Sequence, residues 1–179
     1  MAAEETFRLL VVEDSFEDER FLRELLEEAA ECRTGSRWRV WELLFAATAE
    51  EACNLAIDGR FDAILLNLTL PDSRVPHETF TSVAGVTRHA PILVLADEFD
   101  DSLETLLIRE GAQDFLVKSQ LDPEPLARAL KHAIERQRYV NSLRLQELPR
   151  VAELPRVDAV SKQRLPIDLI SITEVRMEE

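Results

Sequence analysis

Glycine is nearly absent from this chain, with 4 in 179 residues. That leaves little for the glycine-rich turns that lay backbone N–H groups against phosphates. Neither G-x-G-x-x-G nor G-x-x-x-x-G-K-[ST] occurs. The cysteines are two, Cys32 and Cys53, without metal-ligand spacing, and His77, His89 and His132 are far apart, so no metal centre built on them is expected. MAAEETFR has no basic stretch followed by an apolar one, which fits reduced thiols and a cytoplasmic setting. No apolar run approaches the roughly 20 residues that cross a bilayer, so no membrane partner is expected. Basic charge is also short. Residues 1–122 hold 11 Lys and Arg against 26 Asp and Glu, whereas residues 123–179 hold 10 against 9. A body at −15 lacks the cations that a phosphate backbone requires, so no nucleic-acid partner is expected.

What is present is a regular alternation of apolar runs and amphipathic stretches. Arg8–Glu13, Trp38–Ala46, Phe61–Leu66, Pro91–Ala96 and Asp114–Lys118 read as strands. Ser15-Phe16-Glu17-Asp18 and Thr48-Ala49-Glu50-Glu51 have capping-box spacing, and each precedes a helical pattern. Further helices are expected around Glu78–His89, over Asp100–Glu110 with Gly111 at its end, and from Asp122-Pro123 onward. Four of the five strands are continuous apolar runs rather than alternating ones. That pattern belongs to a parallel sheet covered by helices on both faces, and such sheets place their sites at the carboxyl ends of the strands.

Those ends carry Glu13-Asp14, Asn67, Ala96-Asp97 and Lys118. In their order and spacing, VVEDS (Val11–Ser15), DAILLNLTLPDS (Asp62–Ser73), PILVLADE (Pro91–Glu98) and GAQDFLVKS (Gly111–Ser119) resemble the receiver domain of two-component response regulators, over roughly residues 7–138. The resemblance implies a flavodoxin-like, doubly wound five-stranded parallel sheet in the order 2-1-3-4-5, with helices on both faces. In such receivers an Asp at the position of Asn67 accepts a phosphoryl group. An acidic pair, here Glu13 and Asp14, helps hold Mg²⁺ together with a backbone carbonyl, here that of Thr69. A Ser or Thr at the position of Ala96 contacts the phosphoryl group. The lysine at Lys118 pairs with the acceptor and then with the phosphate, and the aromatic residue at Phe115 swings inward.

Two positions depart from that pattern. A carboxylate attacks phosphorus, whereas a neutral amide does not. Ala96 has no hydroxyl to donate. Glu13, Asp14 and Lys118 sum to −1, which predicts weak Mg²⁺ binding at Asp14 and the Thr69 carbonyl, or none. Asn67 is expected to be a buried amide satisfied by its neighbours, with Glu13 or Asp14 as its acceptor. Asp72, Asp97, Asp100 and Asp101 read as solvated loop carboxylates.

Beyond the receiver-like region, residues 139–179 read as a helical extension followed by an extended tail. The last helix continues an apolar stripe through Val140 and Leu143, which suggests pairing with a second copy. Glu147–Val151 and Glu153–Val157 repeat ELPRV, and their prolines end the helix. Leu165–Met177 has the composition of a docking strand. The expected function is signalling by protein–protein contact through a degenerate receiver, without enzymatic activity, phosphorylation or an obligatory cofactor. Two alternatives remain: a phosphoryl-accepting regulator whose acceptor has been exchanged for Asn67, and a flavodoxin-like small-molecule binder. Restoring an aspartate at 67 discriminates the first, and a ligand screen by thermal shift the second.

Overall fold

A computed structural model describes residues 5–31, 38–87 and 89–147. Residues 1–146 make one unit and 147–179 a second. The segment from 148 onward, with most of the ELPRV repeat and the proposed docking strand, lies outside the described residues.

The described chain alternates strand and helix: β1 (Glu5–Val12), α1 (Phe16–Glu31), β2 (Trp38–Ala46), α2 (Ala49–Asp58), β3 (Ala63–Asn67), α3 (Pro76–Val86), β4 (Ile92–Ala96), α4 (Asp101–Arg109), β5 (Asp114–Val117) and α5 (Pro123–Glu147). The strands form one parallel sheet in the order β2-β1-β3-β4-β5, as the resemblance implies. Compared with the sequence reading, β3 begins two residues later and includes Asn67. The third helix runs over Pro76–Val86 rather than Glu78–His89, with Pro76 in its first turn.

The apolar runs are continuous because both faces of each interior strand are covered. Successive side chains point to opposite faces of a strand. Leu10, Val12, Ile64, Leu66 and Val94 pack with Ala52, Phe80, Val83 and Leu107 from α2, α3 and α4. Their neighbours Leu9, Val11, Leu65, Leu93 and Leu95 pack with Leu22 and Leu26 of α1 and Leu126, Leu130 and Ile134 of α5. Burial of such a side chain is worth about 1.5–3 kcal/mol each, so these two layers fix the register of the sheet.

The helix ends follow local chemistry. Thr48 Oγ1 accepts the Glu51 N–H at 3.1 Å and caps α2. Gly111 follows α4 with φ +111°, a conformation costly for any side chain with a Cβ, and lets the chain turn directly into β5. In α5 the buried stripe stops at Ile134. Beyond it Tyr139, Val140, Leu143 and Leu145 are exposed, while Asn141 Nδ2 donates to the His89 carbonyl at 3.1 Å.

Candidate functional site

At the carboxyl edge of the sheet the strand ends bring four of the expected positions together. Glu13, just after β1, is held at the rim by its N–H bond to the Ala46 carbonyl at 2.9 Å. Its side chain is buried. Glu13 Oε1 accepts from the Ser15 N–H and from Asn67 Nδ2, both at 3.1 Å. Asn67 ends β3 and is 3% exposed. Its Nδ2 also donates to the Thr69 carbonyl at 3.2 Å, and its Oδ1 accepts the Thr69 N–H at 3.1 Å. The amide therefore chooses Glu13, one of its two expected acceptors. Asp14 is exposed at the mouth.

Lys118 directly follows β5. Its Nζ lies 2.8 Å from Glu13 Oε2, 2.7 Å from Asp18 Oδ2 and 3.2 Å from Asp97 Oδ1. Glu13 Oε2 receives no well-aligned hydrogen bond, so its 2.8 Å contact with Lys118 is an ion pair rather than a linear bond. Burial disfavours the Lys118 ammonium. The hydrogen bond it donates to Asp18, the adjacent Glu13 carboxylate and the charge of Asp97 outweigh it, and the pKa is raised above its ordinary value.

Asp18 and Asp97 correct the sequence reading. By its spacing Asp18 belongs to the capping box of α1, and Ser15 Oγ does accept the Asp18 N–H at 3.3 Å. The carboxylate, however, turns to Lys118. Asp97, the next residue after β4, is solvated as expected but also pairs with Lys118. With both included, Glu13, Asp14, Asp18, Asp97 and Lys118 carry a formal −3, not −1. Two other loop aspartates act as caps. Asp72 accepts the N–H groups of Ala49 and Glu50 at 3.0 Å each, and Asp100 accepts those of Ser102 and Leu103. Slight burial pushes the Asp72 carboxyl up, but the N–H bonds from Ala49, Glu50 and its own backbone bring it below the ordinary value.

Ala96 is the last residue of β4 and sits beside Val117 of β5. Phe115 is buried in the α2–α3–α4 core layer.

Of the metal ligands implied by the resemblance, Glu13 and the Thr69 carbonyl are already engaged by Asn67, and Asp14 alone is exposed at the rim. Mg²⁺ binds hard oxygens at about 2.0–2.1 Å in near-octahedral geometry. Glu13 Oε1 and the Thr69 carbonyl both face Asn67 Nδ2, a donor nitrogen, at 3.1 and 3.2 Å. A cation at these two oxygens would meet the amide hydrogens. Among the described residues no group of three or more His, Cys, Asp or Glu side chains is arranged to hold a metal ion. Nor is any helix of the described residues long and apolar enough to cross a membrane.

No protein-family model matches the chain, and no curated protein matches it. Solved structures do. A putative response regulator from Chloroflexus aurantiacus J-10-fl is 25% identical, with a TM-score of 0.61, covering 74% of this chain and all of its own. Vibrio cholerae chemotaxis protein CheY4 is 26% identical, with a TM-score of 0.57, covering 72% of this chain and 99% of its own. The chain has the receiver fold. The receiver domain of the sensor histidine kinase PA1611 from Pseudomonas aeruginosa PAO1, solved with magnesium in its active-site cleft, is also similar. It is 20% identical, with a TM-score of 0.56, over 73% of this chain and 99% of its own. At the end of β3, where the resemblance implies a phosphoryl-accepting aspartate, this chain holds Asn67.

Proposed function

We propose that this protein is a receiver-fold signalling module of the two-component type that acts by binding other proteins, without accepting a phosphoryl group and without catalysing a reaction. The observation that carries this reading is the amide of Asn67 at the carboxyl end of β3, engaged through both its nitrogen and its oxygen. An aspartate there offers an anionic oxygen to phosphorus; the amide offers none. Ala96 removes the hydroxyl that would contact a bound phosphoryl group, and with it the means of drawing the loop after β4 inward.

Protein contact then falls to surfaces that exist without a phosphorylation event. Beside β5 and α5 an open groove of about 430 Å³ is lined by Phe99, Val117, Leu121, Ala129 and His132 among others. Phe99 is 61% exposed. This side of the receiver is the proposed partner face, and α5 beyond Ile134 is the proposed contact between copies.

Incubation with acetyl phosphate and Mg²⁺, followed by intact mass, tests the reading. The native chain is expected to keep its mass. A stoichiometric gain of one phosphoryl group would overturn it.

A further inference from the structure

We infer that the pocket is self-saturated: Asn67 Nδ2 takes the bridging place of a divalent cation, and the charge of Lys118 is already taken up by three carboxylates rather than left for an incoming anion. This rests on the receiver reading above and deepens it at the same site.

The inference follows from counting donors. A primary amide has two N–H groups. Asn67 spends them on Glu13 Oε1 and the Thr69 carbonyl, two of the oxygens that the receiver pattern assigns to the metal, which leaves only exposed Asp14. A cation there would polarise both oxygens and hold the β1 end against the β3 end. The amide makes the same bridge with two hydrogens of partial positive charge, at distances of 3.1 and 3.2 Å. Its own oxygen is closed by the Thr69 N–H.

An ammonium has three N–H groups. Lys118 donates one to Asp18 and lies within ion-pair distance of Glu13 and Asp97, so its single positive charge faces three carboxylates. In a phosphoryl-accepting pocket this lysine pairs with the acceptor. Here Asp18 and Asp97 occupy it from α1 and from the loop after β4. The arrangement therefore ties three segments to β5: the β1 end, the first turn of α1 and the β4–α4 loop. Opening it to an anion would leave at least one of these carboxylates without its cation, and opening it to a metal would break the amide bridge. Loss of the acceptor is accordingly not an isolated change at residue 67. The neighbouring oxygens and the lysine have partners that leave the pocket closed.

The inference predicts a specific gain. Asn67→Asp removes the bridging N–H groups and places a third carboxylate beside Glu13 and Asp14, so the variant should need a cation that the native chain does not. The test is thermal unfolding of the full chain with and without millimolar MgCl₂, with calcium and sodium chloride at matched ionic strength as controls, alongside calorimetric Mg²⁺ titration. The native melting temperature is expected to show no Mg²⁺-specific rise. Asn67→Asp is expected to melt lower without the metal, to regain stability with it, and to bind Mg²⁺ roughly tenfold or more tightly than the native chain. A saturable Mg²⁺ response of the native chain would overturn the inference, and so would a folded Asn67→Asp with no response. If Asn67→Asp does not fold, titration of the native chain decides alone: no binding heat supports the inference and saturable heat refutes it. Phosphoryl uptake by the native chain would sink the proposed function, whereas a Mg²⁺ response without uptake would sink only this inference.

Discussion

Asp18, in the first turn of α1, lies 2.7 Å from the ammonium of Lys118, 100 residues further along the chain. The pair joins the first helix to the end of the fifth strand across the mouth of the pocket. Lys118 is nearly buried while Asp18 is partly exposed and Asp97 mostly so. Removing each partner should therefore cost stability in a fixed order. Glu13→Gln should cost most, because it strips the buried partner and weakens the bond from Asn67. Asp18→Ala should follow at about 1–3 kcal/mol. Asp97→Ala, where water screens the pair, should cost about 1 kcal/mol or less. Urea unfolding of the three variants checks the order, and a cycle of Asp18→Ala with Lys118→Met should show coupling between them.

Lys118→Met leaves the Glu13 carboxylate buried without its cation, which should cost about 3–5 kcal/mol. The pH dependence has a definite sign. The folded pKa of Lys118 is raised above 10.5, so its contribution is fully present below that pH and is lost as pH rises through the higher folded value. The stability difference between native and variant should stay constant between about pH 6 and 9 and narrow only above 10.5. Unfolding free energies measured across that range would reveal any earlier narrowing, which would contradict the ion-pair geometry.

Asp72 reaches back to the start of α2, 22 and 23 residues earlier, and accepts two of its free N–H groups. Asp72→Ala should destabilise by about 1 kcal/mol or less, since the site is exposed. Its folded pKa is lowered, so the contribution is present above the unfolded value of 3.8 and is lost as pH falls through the folded one. The variant and the native chain should converge in melting temperature at strongly acidic pH.

The second half of α5 leaves Tyr139, Val140 and Leu143 exposed after the stripe that ends at Ile134. A helix with an uncovered apolar stripe gains by pairing. Sedimentation equilibrium should show a concentration-dependent dimer of the full chain. Leu143→Glu should shift it to monomer without lowering the melting temperature at low concentration. A native chain that stays monomeric at high concentration would remove this surface from the account.

The fold was legible in the sequence because its signals are local. Continuous apolar runs such as Ala63–Leu66, capping residues such as Thr48 and the turn at Gly111 each report on their own neighbourhood. The strand-end positions of Glu13, Asn67 and Lys118 followed from the same alternation and the receiver resemblance. Asp18 did not, because its spacing from Ser15 satisfies a helix cap and nothing nearby announces a lysine 100 residues away. Asp97 and Asp72 were hidden for the same reason: a loop carboxylate shows its partner only when the loop is placed. The charge of the pocket was thus underestimated by two carboxylates, both of them on Lys118 or beside it through contacts that sequence spacing does not encode.

Isotope-edited NMR of the Asn67 side-chain amide during a Mg²⁺ titration tests the amide-for-cation substitution most directly. The two Nδ2 proton resonances should be resolved from those of solvent-exposed amides, exchange slowly with water, and hold their positions into the millimolar range of metal. Resonances that shift together and saturate as Mg²⁺ is added would show that the cation displaces the amide, and would contradict a pocket closed by its own side chains.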